Sequence, residues 1–235
     1  MRALIGRDTD KALQAALQQR DIDCLFVKLL DIEPIDVPGL VQRLQKAQAV
    51  LLTSANAVPA LSAARRDLPM LAVGEATAQA ARDAGFTSVE SAEGDVAALA
   101  ALAKQRSDPA GGALLYARGA DVAGDLVGQL SGYTVDQAIV YRASPVAQLP
   151  EAARAALTDD TLDFVALFSP RSAAAFVSLV QEAGLAQNCN KLALLALSQA
   201  VAQKADLPWA SRHVAAQPSR HGMLAAIDQI RKGTA

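Results

Sequence analysis

Four small hydroxylic residues stand where short apolar runs give way to amphipathic ones: Ser54, Thr77, Ser169 and Ser198. Where a parallel strand feeds a helix, the first helical turn leaves backbone N–H groups unpaired and carries partial positive charge. Such ends suit a ligand with several carboxylates or phosphates, and in an open α/β sheet they lie where ligands bind. Each hydroxyl can equally serve only as the cap of its own helix. Pro170 fits the first helical position after a Ser169 cap. Pro59 fits less well after Ser54, because a proline in the fifth position loses an intrahelical bond, unless the helix starts nearer Asn56. Tyr141, in Val140-Tyr141-Arg142-Ala143, has a hydroxyl that can donate to a leaving group, or it is a half-buried strand aromatic. Arg118 follows a buried run and is either an anion contact or a surface ion-pair partner.

Other chemistries find little support. The two histidines, His213 and His221, match no metal-ligand spacing, and Cys24 and Cys189 make neither a disulfide framework nor a CxxC pair. Gly119 and Gly124 have the spacing of a phosphate loop, but Asp125 stands where lysine is required, which disfavours nucleotides. There is no GxSxG elbow, so hydrolase chemistry is not indicated. The 235 residues are 52% apolar with a net charge of −2, which argues against disorder and against nucleic-acid or anionic-membrane binding. The first eight residues meet charge before any signal-peptide core, and no apolar run has membrane-spanning length, so a cytoplasmic protein is expected.

The elements that must position these residues alternate. Short apolar strands are expected near 2–5, 24–27, 49–52, 70–73, 88–90, 113–116, 133–141, 164–168, 191–197 and 212–214. Alanine-rich helices are expected at 10–19, 37–45, 77–84, 96–104, 123–130, 151–157, 171–182, 199–205 and 219–231. This rhythm predicts parallel sheets with helices on both faces. Gly85 and Gly184 read as helix ends and Asp95 as an N-cap. Two β-prone segments, 28–35 and 135–143, interrupt the pattern. If the chain leaves one domain at the first and returns at the second, they form an antiparallel connector. The expected domains are then 1–32 with 144–235, and an inserted 36–140. An internal echo supports two similar halves: Leu51 to Val58 reads like Leu167 to Ala174, and Leu71 to Ala78 like Leu195 to Ala202.

In order and spacing, the turns at Thr53-Ser54-Ala55-Asn56, Val73-Gly74-Glu75-Ala76-Thr77, Tyr116-Ala117-Arg118-Gly119, Val140-Tyr141-Arg142 and Phe168-Ser169-Pro170-Arg171-Ser172 resemble the bacterial uroporphyrinogen-III synthase family. The resemblance implies a bilobal fold of two flavodoxin-like, doubly wound parallel-sheet domains joined by a two-stranded antiparallel β connector, with the site in the cleft. It implies a lyase that cyclises hydroxymethylbilane to uroporphyrinogen III with inversion of ring D, without a cofactor or metal. The terminal hydroxyl leaves as water, an azafulvene forms, and ring D attacks through its substituted position to give a spiro intermediate. It further implies a monomer, with transient hand-over of substrate from hydroxymethylbilane synthase. Tyr141 matches the connector tyrosine and is expected to assist hydroxide departure. Thr53, Ser54, Asn56, Thr77, Gly119, Ser169, Pro170, Ser172 and Ser198 are expected to bind substrate, as are Arg7, Arg118 and Arg171. One turn departs from the pattern: many relatives have Gly-x-x-Thr where this chain has Ser198-Gln199-Ala200-Val201. The competing readings are a non-catalytic cytoplasmic binding protein for a polyanionic small molecule and a nucleotide-dependent transferase.

Overall fold

The computed structural model describes residues 1–122 and 124–233. The chain opens with β1 (Arg2–Ile5), α1 (Lys11–Gln18), β2 (Asp23–Phe26), β3 (Leu30–Pro34), α2 (Leu40–Lys46) and β4 (Ala49–Leu52). A 3₁₀ helix over Ala55–Leu61 leads to β5 (Met70–Ala72), α3 (Glu75–Asp83), β6 (Val89–Ser91), α4 (Val96–Arg106), β7 (Leu114–Gly119) and α5 (Leu126–Gln129). Then come β8 (Val135–Pro145), α6 (Glu151–Thr158), β9 (Phe164–Leu167) and α7 (Pro170–Glu182). After a 3₁₀ helix over Ala186–Lys191, the chain ends with β10 (Ala193–Ala196), α8 (Gln199–Lys204), β11 (Ser211–Val214) and α9 (Arg220–Gly233). Strands β4, β9 and β10 are buried at every residue, as strands covered on both faces must be.

The chain divides into two compact units, 1–31 with 144–235, and 32–143. In the first, a five-stranded sheet has the order β11-β10-β9-β1-β2, every neighbour parallel. Counted along the unit's own strands this is 2-1-3-4-5, the flavodoxin order. Alternation along each strand sends Leu4, Val165, Leu167 and Leu194 to one core, and Ile5, Phe164, Ala166 and Leu195 to the other.

The second unit holds a sheet of order β3-β8-β7-β4-β5-β6, parallel from β8 to β6. Its five parallel strands follow the first unit's arrangement in circularly permuted form: β6-β5-β4-β7-β8 takes the places of β11-β10-β9-β1-β2. Register makes the correspondence residue-specific. Leu52 pairs with Ala72 in one sheet and Leu167 with Ala196 in the other, so Leu52 matches Leu167 and Ser54 matches Ser169. The sequence echo, which sets Leu51 against Leu167, is therefore one residue out of register. Its second part, with Gly74 against Ser198, is in register. At the edge, Leu29 O accepts from Val146 N–H and Val140 O from Ile35 N–H, the opposed numbering of an antiparallel pair. Strand β8 thus begins as a parallel core strand and ends beside β3.

Three expected elements differ. The segment after Ser54 is a 3₁₀ helix that contains Pro59, since proline cannot supply the α-helical bond at that depth. Helix α2 starts at Leu40, not 37, because Gly39 takes φ 73° ahead of it. Helix α5 starts at Leu126, behind an Asp125 side chain that accepts from Gly128 N–H; Ala123, the expected first residue, lies outside the described residues.

Candidate functional site

In the second unit, the candidate residues collect at the C-terminal ends of neighbouring strands β8, β7, β4 and β5. Tyr116 lies in β7 opposite Leu51 of β4, and its hydroxyl shares a 3.2 Å hydrogen bond with Thr53 Oγ1. Burial raises the Tyr116 pKa; the Thr53 hydrogen bond and the Arg118 charge act against it, and Tyr141 adds to it. This phenol therefore stays protonated. Tyr116 joins the candidate residues although its sequence position did not single it out; a buried aromatic following Leu114 and Leu115 was the available signal.

Tyr141 owes its burial to a β-bulge. Arg118 pairs with Ile139, but the next residue, Gly119, pairs with Tyr141, leaving Val140 as the extra residue. Up to that point β8 alternates, with Ala138 buried and Ile139 exposed. Without the bulge Tyr141 would share the exposed face of Ile139; with it, Val140 and Tyr141 are both buried. The phenol is only 7% exposed, and among the described residues its hydroxyl has no hydrogen-bond partner. The oxygen itself is not one of the fully buried polar atoms left unpaired, so it is open to water and to a ligand.

Arg118 is not a free anion contact. Its Nη1 donates to the carbonyls of Gly119 (2.9 Å) and Ala120 (3.2 Å), and its Nε to Gln137 Oε1 (2.9 Å). Ala120 N–H in turn donates to Tyr141 O at 2.9 Å, so one arginine fixes the turn beneath the tyrosine.

Of the helix-end candidates here, Ser54 accepts from Asn56 N–H at 3.2 Å and heads only a seven-residue 3₁₀ helix, too short to gather a helix dipole. Thr77 sits in the first turn of the nine-residue α3, behind Gly74, which supplies no side-chain cap. It is 7% exposed, and among the described residues its hydroxyl has no partner.

In the first unit the hydroxyls are engaged. Ser169 Oγ accepts from Ser172 N–H, Ser172 Oγ accepts from Ser169 N–H, and the two hydroxyls bond each other at 2.9 Å. The reciprocal N–H bonds are the capping box of α7, with Pro170 at its start, and Ser172 Oγ also donates to Ser169 O at 3.0 Å. Arg7 lies 5.1 Å above the Phe168 ring and 3.6 Å from Asp10. The same carboxylate accepts from Leu13 N–H and meets Arg220. Arg171 is also engaged within the protein. Ser198 caps the six-residue α8 through Val201 N–H, so this turn carries its hydroxyl at the cap where the α3 turn carries Thr77 three residues on. Register brings Arg7 and Arg118 to equivalent positions: Ile5 pairs with Ala166 in one unit, and Ala117 with Leu52 in the other.

Cys189 is buried, and its thiol is pushed up to about 12 by desolvation; Cys24 is also raised, by burial first and then by Asp23. Both stay protonated and lie away from the strand ends described.

The family model for uroporphyrinogen-III synthase HemD matches residues 11–225. A mutant uroporphyrinogen III synthase from the extremely thermophilic bacterium Thermus thermophilus is 17% identical, with 99% of each chain covered and a TM-score of 0.56, which shows the fold. The wild-type protein of that bacterium in another crystal form is 18% identical, with full coverage of both chains and a TM-score of 0.47. Comparison with curated proteins gives no match. Among the described residues, no helix is long and apolar enough to cross a membrane.

Proposed function

This chain belongs to the uroporphyrinogen-III synthase family, lyases of tetrapyrrole biosynthesis that cyclise hydroxymethylbilane, and on that premise we propose that Tyr141 is its proton donor. The observation that carries this reading is a phenol buried by a bulge, with no hydrogen-bond partner among the described residues. As the C–O bond of the terminal hydroxymethyl group breaks, the electron pair leaves with oxygen and Tyr141 supplies the proton, so water departs. The pyrrole nitrogen's lone pair fills the vacated carbon to give an azafulvene. Ring D attacks through its substituted carbon to form a spiro intermediate, which opens and recloses with the ring inverted. The proton lost when the last pyrrole regains aromaticity restores the phenol. The acceleration asked of Tyr141 is modest, because the substrate cyclises by itself; orienting ring D is the greater task.

The substrate carries eight carboxylates and the protein a net charge of −2, so overall attraction cannot hold it. The Thr77 hydroxyl and the first-turn N–H groups of α3 and α7 are the groups that bind carboxylates in this reading. Pro170 and Ser172 shape the α7 turn, Thr53, Ser54, Asn56 and Ser198 line the turns after β4 and β10, and Arg7 and Arg171 add charge. The domains are 1–32 with 144–235 and 36–140, and β3 with the end of β8 is the connector. The protein is a cytoplasmic monomer that takes its substrate by transient hand-over from hydroxymethylbilane synthase; sedimentation at the 24.4 kDa monomer mass is the expected result.

The test is a coupled assay in which a hydroxymethylbilane-forming enzyme and porphobilinogen feed the protein, and the oxidised porphyrins are separated by isomer. Isomer III is expected. Isomer I alone, the product of spontaneous closure, would leave only a binding protein for polyanionic molecules.

A further inference from the structure

Gly119 has a backbone that any residue can adopt, since its φ lies outside the left-handed region that favours glycine. Its own chain gives no reason for a glycine. The reason comes from across the strand pair. A methyl group on Gly119 would lie 2.8 Å from Tyr141 Cζ, 2.9 Å from Cε2 and 3.0 Å from the hydroxyl oxygen. The three nearest atoms all belong to the reactive end of this one ring. The bulge that turns Tyr141 inward is the same register shift that sets it opposite Gly119. Arg118, tied to Gln137, holds the consecutive carbonyls of Gly119 and Ala120, so the backbone under the ring is held in place.

We propose that Gly119 is a positioning residue: the bare backbone that the Arg118 strap holds in place is the seat that fixes where the Tyr141 hydroxyl points. The proposal rests on the reading of Tyr141 as proton donor. Carbon atoms in ordinary contact stand about 3.5–4 Å apart, so a Cβ at position 119 forces the ring tip back by roughly 0.7 Å. The atoms that must yield are the far end of one side chain and not backbone, so the shift costs little stability. A displacement on that scale at a reacting group is nonetheless enough to lower the rate by roughly one to two orders of magnitude.

The experiment is a double-mutant cycle on the full chain, with kcat, KM and melting temperature measured for Gly119→Ala, Tyr141→Phe and the pair. Gly119→Ala is expected to fold, to lower kcat about tenfold, and to leave KM within about twofold. On the Tyr141→Phe background the same substitution is expected to change kcat by less than about twofold, because no hydroxyl remains to be misplaced. Equal loss of kcat on both backgrounds, or a loss confined to KM, would overturn the proposal while leaving Tyr141 as donor. If Tyr141→Phe itself keeps full kcat, the donor reading fails and the seat has nothing to position. Should Gly119→Ala not fold, combining it with Tyr141→Leu, whose side chain stops short of the clash, is expected to restore folding; failure of that rescue would show that the glycine serves something other than the ring.

Discussion

Arg7 and Arg118 close equivalent strands, β1 and β7, in two sheets that are permutations of one another, yet their surroundings differ. Around Arg7 the polar groups satisfy each other: Ser169 and Ser172 close a capping box, and Asp10 caps α1 while meeting two arginines. In the second unit the Arg118 guanidinium is used on the backbone, and the hydroxyls of two largely buried residues, Tyr141 and Thr77, make no hydrogen bond among the described residues. One strand-end plan therefore supports two uses. Closed hydrogen-bond networks make the first unit's turns rigid platforms of backbone N–H groups. Hydroxyls that make no internal bond and stay open to solvent make the second unit the candidate place for a ligand to bond.

Substitutions can sharpen or break this contrast. The largest effect is expected from Tyr141→Phe in the second unit, with kcat about 30-fold lower and the melting temperature unchanged, read by steady-state kinetics and thermal unfolding. Thr77→Val, which keeps the shape and removes an unpartnered hydroxyl, is expected to raise KM about tenfold with little change in kcat. In the first unit, Ser169→Ala is expected to cost about 1 kcal/mol of stability by denaturant unfolding, through loss of the cap, with KM within about twofold. A tenfold KM effect there would erase the contrast. The effect with the least bearing on activity belongs to the buried thiol. Because the folded pKa of Cys189 is raised to about 12, its contribution to stability is complete below the unfolded pKa near 9 and is lost as pH rises from there toward 12. Stability measured from pH 8 to 10 should fall in the unsubstituted protein and flatten in Cys189→Ala.

Much of the scaffold could be read from the sequence because its causes are local. The apolar runs at β4, β9 and β10 are buried at every position. Asp95 caps α4 through Ala97 and Ala98 N–H, and Gly85 and Gly184 take the positive φ that ends a helix. The site was legible only as a set of residue types. That Tyr141 turns inward depends on a one-residue slip against β7, and a strand's own alternation does not reveal its partner's register. The Thr53–Tyr116 bond joins positions 63 apart, and the Arg118–Gln137 bond positions 19 apart. The one-residue error in the internal echo has a similar origin. Ser54 and Ser169 are equivalent caps, but a run of similar small residues aligns almost as well one place along, and only the hydrogen-bonded ladders decide between the two.

The claim that the Tyr141 hydroxyl of the second unit carries the chemistry is tested most directly by one single-turnover measurement. Tyr141→Phe protein in excess is mixed with hydroxymethylbilane, and both the rate constant and the porphyrin isomer are recorded. A rate constant about 30-fold below that of the unsubstituted protein is expected, with isomer III still the main product, because the groups that orient ring D are untouched. An unchanged rate constant, or a product that turns over to isomer I, would contradict it.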